Sequence, residues 1–71
     1  MRNNLAHIRK QKNMTQQDLA NELGISRQTI ISLEKGKYNP SIILALKIGK
    51  FFNTPVETIF LLDEEDNAKE N

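Results

Sequence analysis

Met14-Thr15-Gln16-Gln17-Asp18-Leu19-Ala20-Asn21-Glu22-Leu23-Gly24-Ile25-Ser26-Arg27-Gln28-Thr29-Ile30-Ile31-Ser32-Leu33-Glu34-Lys35 writes two short helices and the turn between them. Thr15 is a helix cap, and Asp18 stands three residues on, where a capping-box carboxylate belongs. Met14 and Leu19 flank that cap with the spacing of a hydrophobic staple. Leu19, Ala20 and Leu23 form the buried face, and Gly24 supplies the left-handed residue that stops the helix. Ser26 then caps again, with Ile25 and Ile30 as the second staple, and the new helix runs from Ser26 to about Lys35 before Gly36.

This pair has a defined geometry. Two helices meeting at about 90–120° across a three- to four-residue turn crowd one another, so the crossing takes a small residue, Ala20, and the turn takes Gly24. Ile30 and Leu33 anchor the second helix by its inner side. With Ile30 at the centre of that side and about 100° per residue, Gln28 and Ser32 fall within about 20° of the opposite side. The outward set is Arg27, Gln28, Thr29, Ile31, Ser32 and Lys35. Arg reads guanine and Gln reads adenine bidentately, Ser and Thr are less selective, and Ile packs on a thymine methyl group. A helix presented in this way fits the DNA major groove. The helix starts at Thr15 and Ser26 offer backbone N–H groups to phosphate, joined by side chains such as Gln16. Lys35, Lys37 and Tyr38 are further phosphate candidates; for Lys35, Lys37, Lys10 and Lys12 alike a solvated surface is an equal reading, and for Tyr38 the alternative is a cover on the core edge.

Working outward, a helix over about Asn4 to Lys12 places Leu5, Ile8 and Arg9 on one stripe. A fourth helix, capped by Asn39 with Pro40 or by Ser41, runs to about Phe52. A fifth opens on Thr54-Pro55-Val56-Glu57, a capping box with proline at the first helical position, and ends near Leu62. No stretch alternates with period two for long enough to argue a sheet, so the expected class is all-α, with five helices in a domain of residues 1–62.

The whole chain has 71 residues and a net charge of +1. That total averages two opposites. Residues 1–62 hold nine Lys/Arg and four Asp/Glu, a balance of +5, while 63–71 hold five acids and one lysine, a balance of −4. The basic body suits a polyanion, and the acidic end is expected to be a disordered tail. Without cysteine, a disulfide scaffold and a zinc finger are both excluded. The longest apolar run, Ile42 to Leu46, is far below the ~20 residues of a membrane span. No apolar block follows Arg2, Arg9, Lys10 and Lys12, so a cytoplasmic location is expected. Catalysis finds no nucleophile motif, no second histidine beside His7 and no phosphate loop. Asp63-Glu64-Glu65-Asp66 lacks the spacing and turn glycine of a calcium loop, so no metal is expected; no cofactor is expected, nor a small-molecule effector, whose pocket would have to fit within about sixty residues.

The sequence resembles the Xre/Cro-type helix-turn-helix regulators, which include the lambdoid phage repressors. The likeness covers residues 3–62 through Met-Thr-Gln-Gln-Asp-Leu-Ala at 14–20, Leu-Gly-Ile-Ser-Arg-Gln-Thr-Ile at 23–30, Leu-Glu-Lys-Gly-Lys at 33–37 and Asn-Pro-Ser at 39–41. It is similar above all to short stand-alone dimeric repressors of Gram-positive bacteria. The resemblance implies a five-helix, lambda-repressor-like fold that binds double-stranded DNA through helices two and three. It implies that Gln16 touches phosphate, that Arg27, Gln28, Thr29 and Ser32 face bases, and that Arg9 pairs with Glu34. Ile31 departs from the pattern, being apolar where a polar residue is usual. One recognition helix reads few base pairs, so a homodimer on an inverted repeat is expected. Phe51, Phe52, Val56, Ile59, Phe60 and Leu62 offer more apolar surface than so small a core is expected to absorb, and are the candidate interface. The rival expectation is an antitoxin-type module whose fifth helix or acidic tail holds a protein partner.

Overall fold

A computed structural model describes residues 1–37 and 39–63. Tyr38 and most of the acidic segment, 64–71, lie outside the described residues. In chain order the elements are β1 (Arg2–Asn3), α1 (Leu5–Gln11), α2 (Gln16–Leu23), α3 (Arg27–Glu34), α4 (Ile42–Phe52), α5 (Val56–Ile59) and β2 (Phe60–Leu61). The five helices and their all-α character are as the sequence predicts.

The same device ends the first four helices. Asn13, Gly24, Gly36 and Asn53 all take positive φ, at 57°, 69°, 70° and 52°. After each, the next N–H reaches the carbonyl five residues back: Met14 to Arg9 at 3.2 Å, Ile25 to Ala20 at 3.0 Å, Lys37 to Ser32 at 3.0 Å and Thr54 to Gly49 at 2.9 Å. These bonds satisfy carbonyls that a helix end leaves without a partner, and each left-handed residue turns the chain back onto the core.

Two expectations about the C-terminal part are corrected. The fifth helix is a single turn that stops at Ile59, and the chain continues as β2, antiparallel to β1 with Arg2 opposite Leu61 and Asn3 opposite Phe60. A pairing of two residues is too short to write an alternation into the sequence. The switch to extended backbone at Phe60 (φ −109°, ψ 122°) allows the adjacent Ile59 and Phe60 both to be buried. The capping box Thr54–Glu57 does not form. The Thr54 hydroxyl donates to the Phe52 carbonyl at 3.0 Å, and Pro55 occupies the cap position rather than the first helical one. For α4, Ser41 is the cap, accepting from the Leu44 N–H at 3.1 Å.

The core joins every helix: Leu5, Leu19, Ile30, Leu33, Ile48 and Ile59 have no exposed surface, and Ala20, Leu23, Ala45, Phe52 and Phe60 pack around them. Of the candidate interface, Phe52, Ile59 and Phe60 are buried in the core. Phe51 and Val56 are half-buried against the core, and of the proposed set only Leu62 is well exposed. The exposed large apolar side chains are Ile42, Ile43, Leu46 and Leu62.

The first residues meet the segment 58–63. Besides the strand pairing, the Asn4 N–H donates to the Ile59 carbonyl at 2.8 Å and the Asn4 side-chain amide to that of Thr58 at 3.0 Å. The terminal ammonium lies 4.0 Å from Asp63. From β1, Asn3 also reaches α3, donating its side-chain amide to the Leu33 carbonyl at 2.8 Å.

Candidate nucleic-acid interface

The candidate interface is α2, α3 and the turn between them. Thr15 and Asp18 form the predicted box, with the Asp18 N–H on Thr15 Oγ1 at 3.0 Å and the Thr15 N–H on Asp18 Oδ2 at 2.9 Å. Those bonds to its charged form hold the Asp18 carboxyl below its ordinary range, chiefly through the Thr15 N–H. Ser26 caps α3 by accepting from the Thr29 N–H at 3.1 Å. Ala20 is wholly buried where α2 packs on α3, and Gly24 makes the turn.

With Ile30 and Leu33 sealed in the core, α3 presents its opposite side. Arg27, Gln28 and Lys35 are exposed, while Thr29, Ile31 and Ser32 are half-buried. Half-burial resolves the departure at Ile31, because part of its side chain is covered by the domain. Thr29 is less free than the sequence suggests, since its hydroxyl lies 2.9 Å from Ser26 Oγ. Around this helix, Thr15, Ser26 and Lys37 are exposed and Gln16 is half-buried. Tyr38 falls outside the described residues.

Behind that surface, Arg9 and Glu34 pair as the resemblance implies. Arg9 Nε meets Glu34 Oε2 at 2.7 Å and Nη2 meets Oε1 at 3.1 Å, while Nη1 donates to the Met14 carbonyl at 2.8 Å. The hydrogen bond to Glu34 raises the Arg9 pKa further above its already high ordinary value. A contact absent from the sequence reading completes the cluster: Gln16 Nε2 donates to Glu34 Oε1 at 3.1 Å. No local pattern announces it, because the two residues belong to different helices 18 positions apart. Lys12 is drawn to Phe51, its ammonium 5.8 Å from the ring centroid.

Among the described residues no group of acids or histidines is disposed to hold a metal ion, and no helix is long and apolar enough to cross a membrane. A groove of about 490 Å³ runs between Met1, Pro40, Ile42, Val56, Phe60 and Leu62, away from the α2–α3 surface.

Comparison with known proteins points the same way. The helix-turn-helix family profile matches residues 5–59. An HTH-type transcriptional regulator of Methanocaldococcus jannaschii is 53% identical over 66 residues, 93% of this chain and the whole of that one. YgzD of Bacillus subtilis, also named an HTH-type transcriptional regulator, is 41% identical over 66 residues, with the same coverage. The CTXphi transcriptional repressor RstR of Vibrio cholerae is 29% identical over 63 residues, 89% of this chain and 56% of its own length.

Proposed function

The chain belongs to the Xre-type helix-turn-helix family of DNA-binding transcriptional regulators, and from that membership we propose that it is a repressor, binding an inverted-repeat operator as a homodimer. The observation that carries this reading is α3 itself, fixed on its inner side by Ile30 and Leu33 and exposing Arg27 and Gln28 in its first turn. Laid in the major groove, that turn brings Arg27 and Gln28 to base edges, with Thr29, Ile31 and Ser32 beside them. Thr15, Gln16, Ser26, Lys35, Lys37 and Tyr38 take the flanking phosphates. The similarity to RstR, a repressor by name, supports repression over activation. Its work is binding rather than catalysis, carried out in the cytoplasm.

Two copies meet through Ile42, Ile43, Leu46 and Leu62, which replace the buried residues of the sequence-based interface. An exposed apolar patch marks a protein contact, and a two-fold axis makes it self-complementary. Selection from a pool of randomised duplexes tests the whole reading. The expected product is a palindrome with half-sites about one helical turn, ~34 Å, apart. Recovery of single, unpaired half-sites together with monomers in sedimentation on DNA would overturn the homodimer.

A further inference from the structure

We propose that Glu34 is a positioning residue for DNA binding, acting through Gln16; the inference rests on the reading that Gln16 meets a phosphate. Glu34 is the last residue of α3, its side chain only 8% exposed, and Gln16 is the first residue of α2. The carboxylate therefore joins the two helices of the interface, with Oε1 shared between Arg9 Nη2 and Gln16 Nε2, both at 3.1 Å.

The chemistry of the pair decides the orientation of the amide. A carboxylate accepts only, so Gln16 must turn its nitrogen, not its oxygen, toward Glu34. One of the two N–H groups is then bound to Glu34, and the second is held beside it at the start of α2. A phosphate needs that donor, and a freely rotating glutamine would offer it in only a fraction of its conformers. A carboxylate this close to a phosphate would ordinarily repel it. Here Arg9 covers the charge with two hydrogen bonds, leaving a neutral cluster behind the DNA-facing surface.

The test is a double-mutant cycle on folded proteins. Arg9→Met with Glu34→Met replaces the pair by apolar side chains, and Gln16→Ala is made with and without that replacement. Affinity is measured on the duplex that the unaltered protein selects. Gln16→Ala alone is expected to lower affinity about three- to tenfold, the value of one immobilised side chain. The methionine pair should cause a similar loss, and adding Gln16→Ala to it should cause no more. The salt dependence should be equal in all four proteins, because none of the changes alters net charge. An undiminished Gln16→Ala effect in the methionine background overturns the inference while leaving Gln16 at the DNA. No effect of Gln16→Ala in the unaltered protein overturns the underlying reading instead.

Should the methionine pair fail to fold, the Gln16 side-chain amide protons report directly by NMR on the unaltered protein. Two dispersed, slowly exchanging signals, away from the position of exposed glutamines, support the inference. Signals already at that position in the unaltered protein refute it.

Discussion

Arg9 and Glu34, 25 residues apart in sequence, close a two-bond ion pair whose side chains are 9% and 8% exposed. Taking one charge away strands the other beneath α2 and α3. Arg9→Ala is expected to cost about 3–5 kcal/mol, whereas the methionine pair should cost far less because neither charge remains. Urea denaturation of the two variants, compared at equal m-values, checks this. A loss under ~1 kcal/mol in Arg9→Ala would place the pair among ordinary surface contacts.

Gly24 and Gly36 share a left-handed backbone but not a neighbourhood. A Cβ on Gly24 would have nothing within 4 Å, while one on Gly36 would lie 2.8 Å from the Met1 carbonyl oxygen. Gly24→Ala is expected to lose only the left-handed penalty, about 1–2 kcal/mol. Gly36→Ala must also push the N-terminal residue aside, so its thermal midpoint should fall further. Equal midpoints would show that the first residue does not press on the end of α3.

The capping box predicts an acid-sensitive limb. The carboxyl of Asp18 is held below its ordinary value of 3.8 in the folded chain. Its contribution is therefore complete above that value and is lost as pH falls through the lower folded one. Melting curves between pH 6 and pH 2 should show Asp18→Asn losing less stability on acidification than the unaltered protein. Parallel curves would mean that the bond to the Thr15 N–H does not favour the ionised form.

Ile59 and Leu46 should separate folding from assembly. Ile59 is fully buried, so Ile59→Ala is expected to destabilise the domain by about 2–5 kcal/mol. Leu46 is 59% exposed, and Leu46→Lys should leave the folded monomer intact while abolishing the proposed dimer in sedimentation. A dimer that survives Leu46→Lys would move the interface elsewhere.

Base reading and phosphate contact have different signatures. Arg27→Ala or Gln28→Ala should each cost about 1–3 kcal/mol on the selected operator and relax preference at one base pair. Lys35→Ala should weaken all sequences alike and lower the slope of log K against log salt by about 0.9 per phosphate lost. Unchanged sequence preference in both α3 variants would remove that helix from the groove.

What could be read from the sequence was what repeats locally. Thr15 with Asp18, Ser26, Gly24 and Gly36 announce their roles within four residues, so α2, α3 and their turn were legible with their caps. Asn13 and Asn53 adopt the same left-handed stop, but asparagine does so only where context favours it and therefore gives a weaker signal. Thr54 misled for a related reason: the capping pattern was present, but the end of α4 competed for its hydroxyl. The strand pairing and the Gln16–Glu34 bond depend on residues far apart in the chain, which no local pattern encodes. The surplus of apolar residues after Pro55 was real in composition, but its destination was set by tertiary packing.

The antiparallel contact of Arg2 with Leu61 has a bearing on synthesis as well as structure. The first strand leaves the ribosome early and then waits for a partner 59 residues behind it. Until that partner emerges, the core lacks Ile59 and Phe60, and β1, which carries the Asn3 brace on Leu33, has no strand to pair with. A nascent chain thus holds α2 and α3 complete before the strand that closes the fold around them has been made.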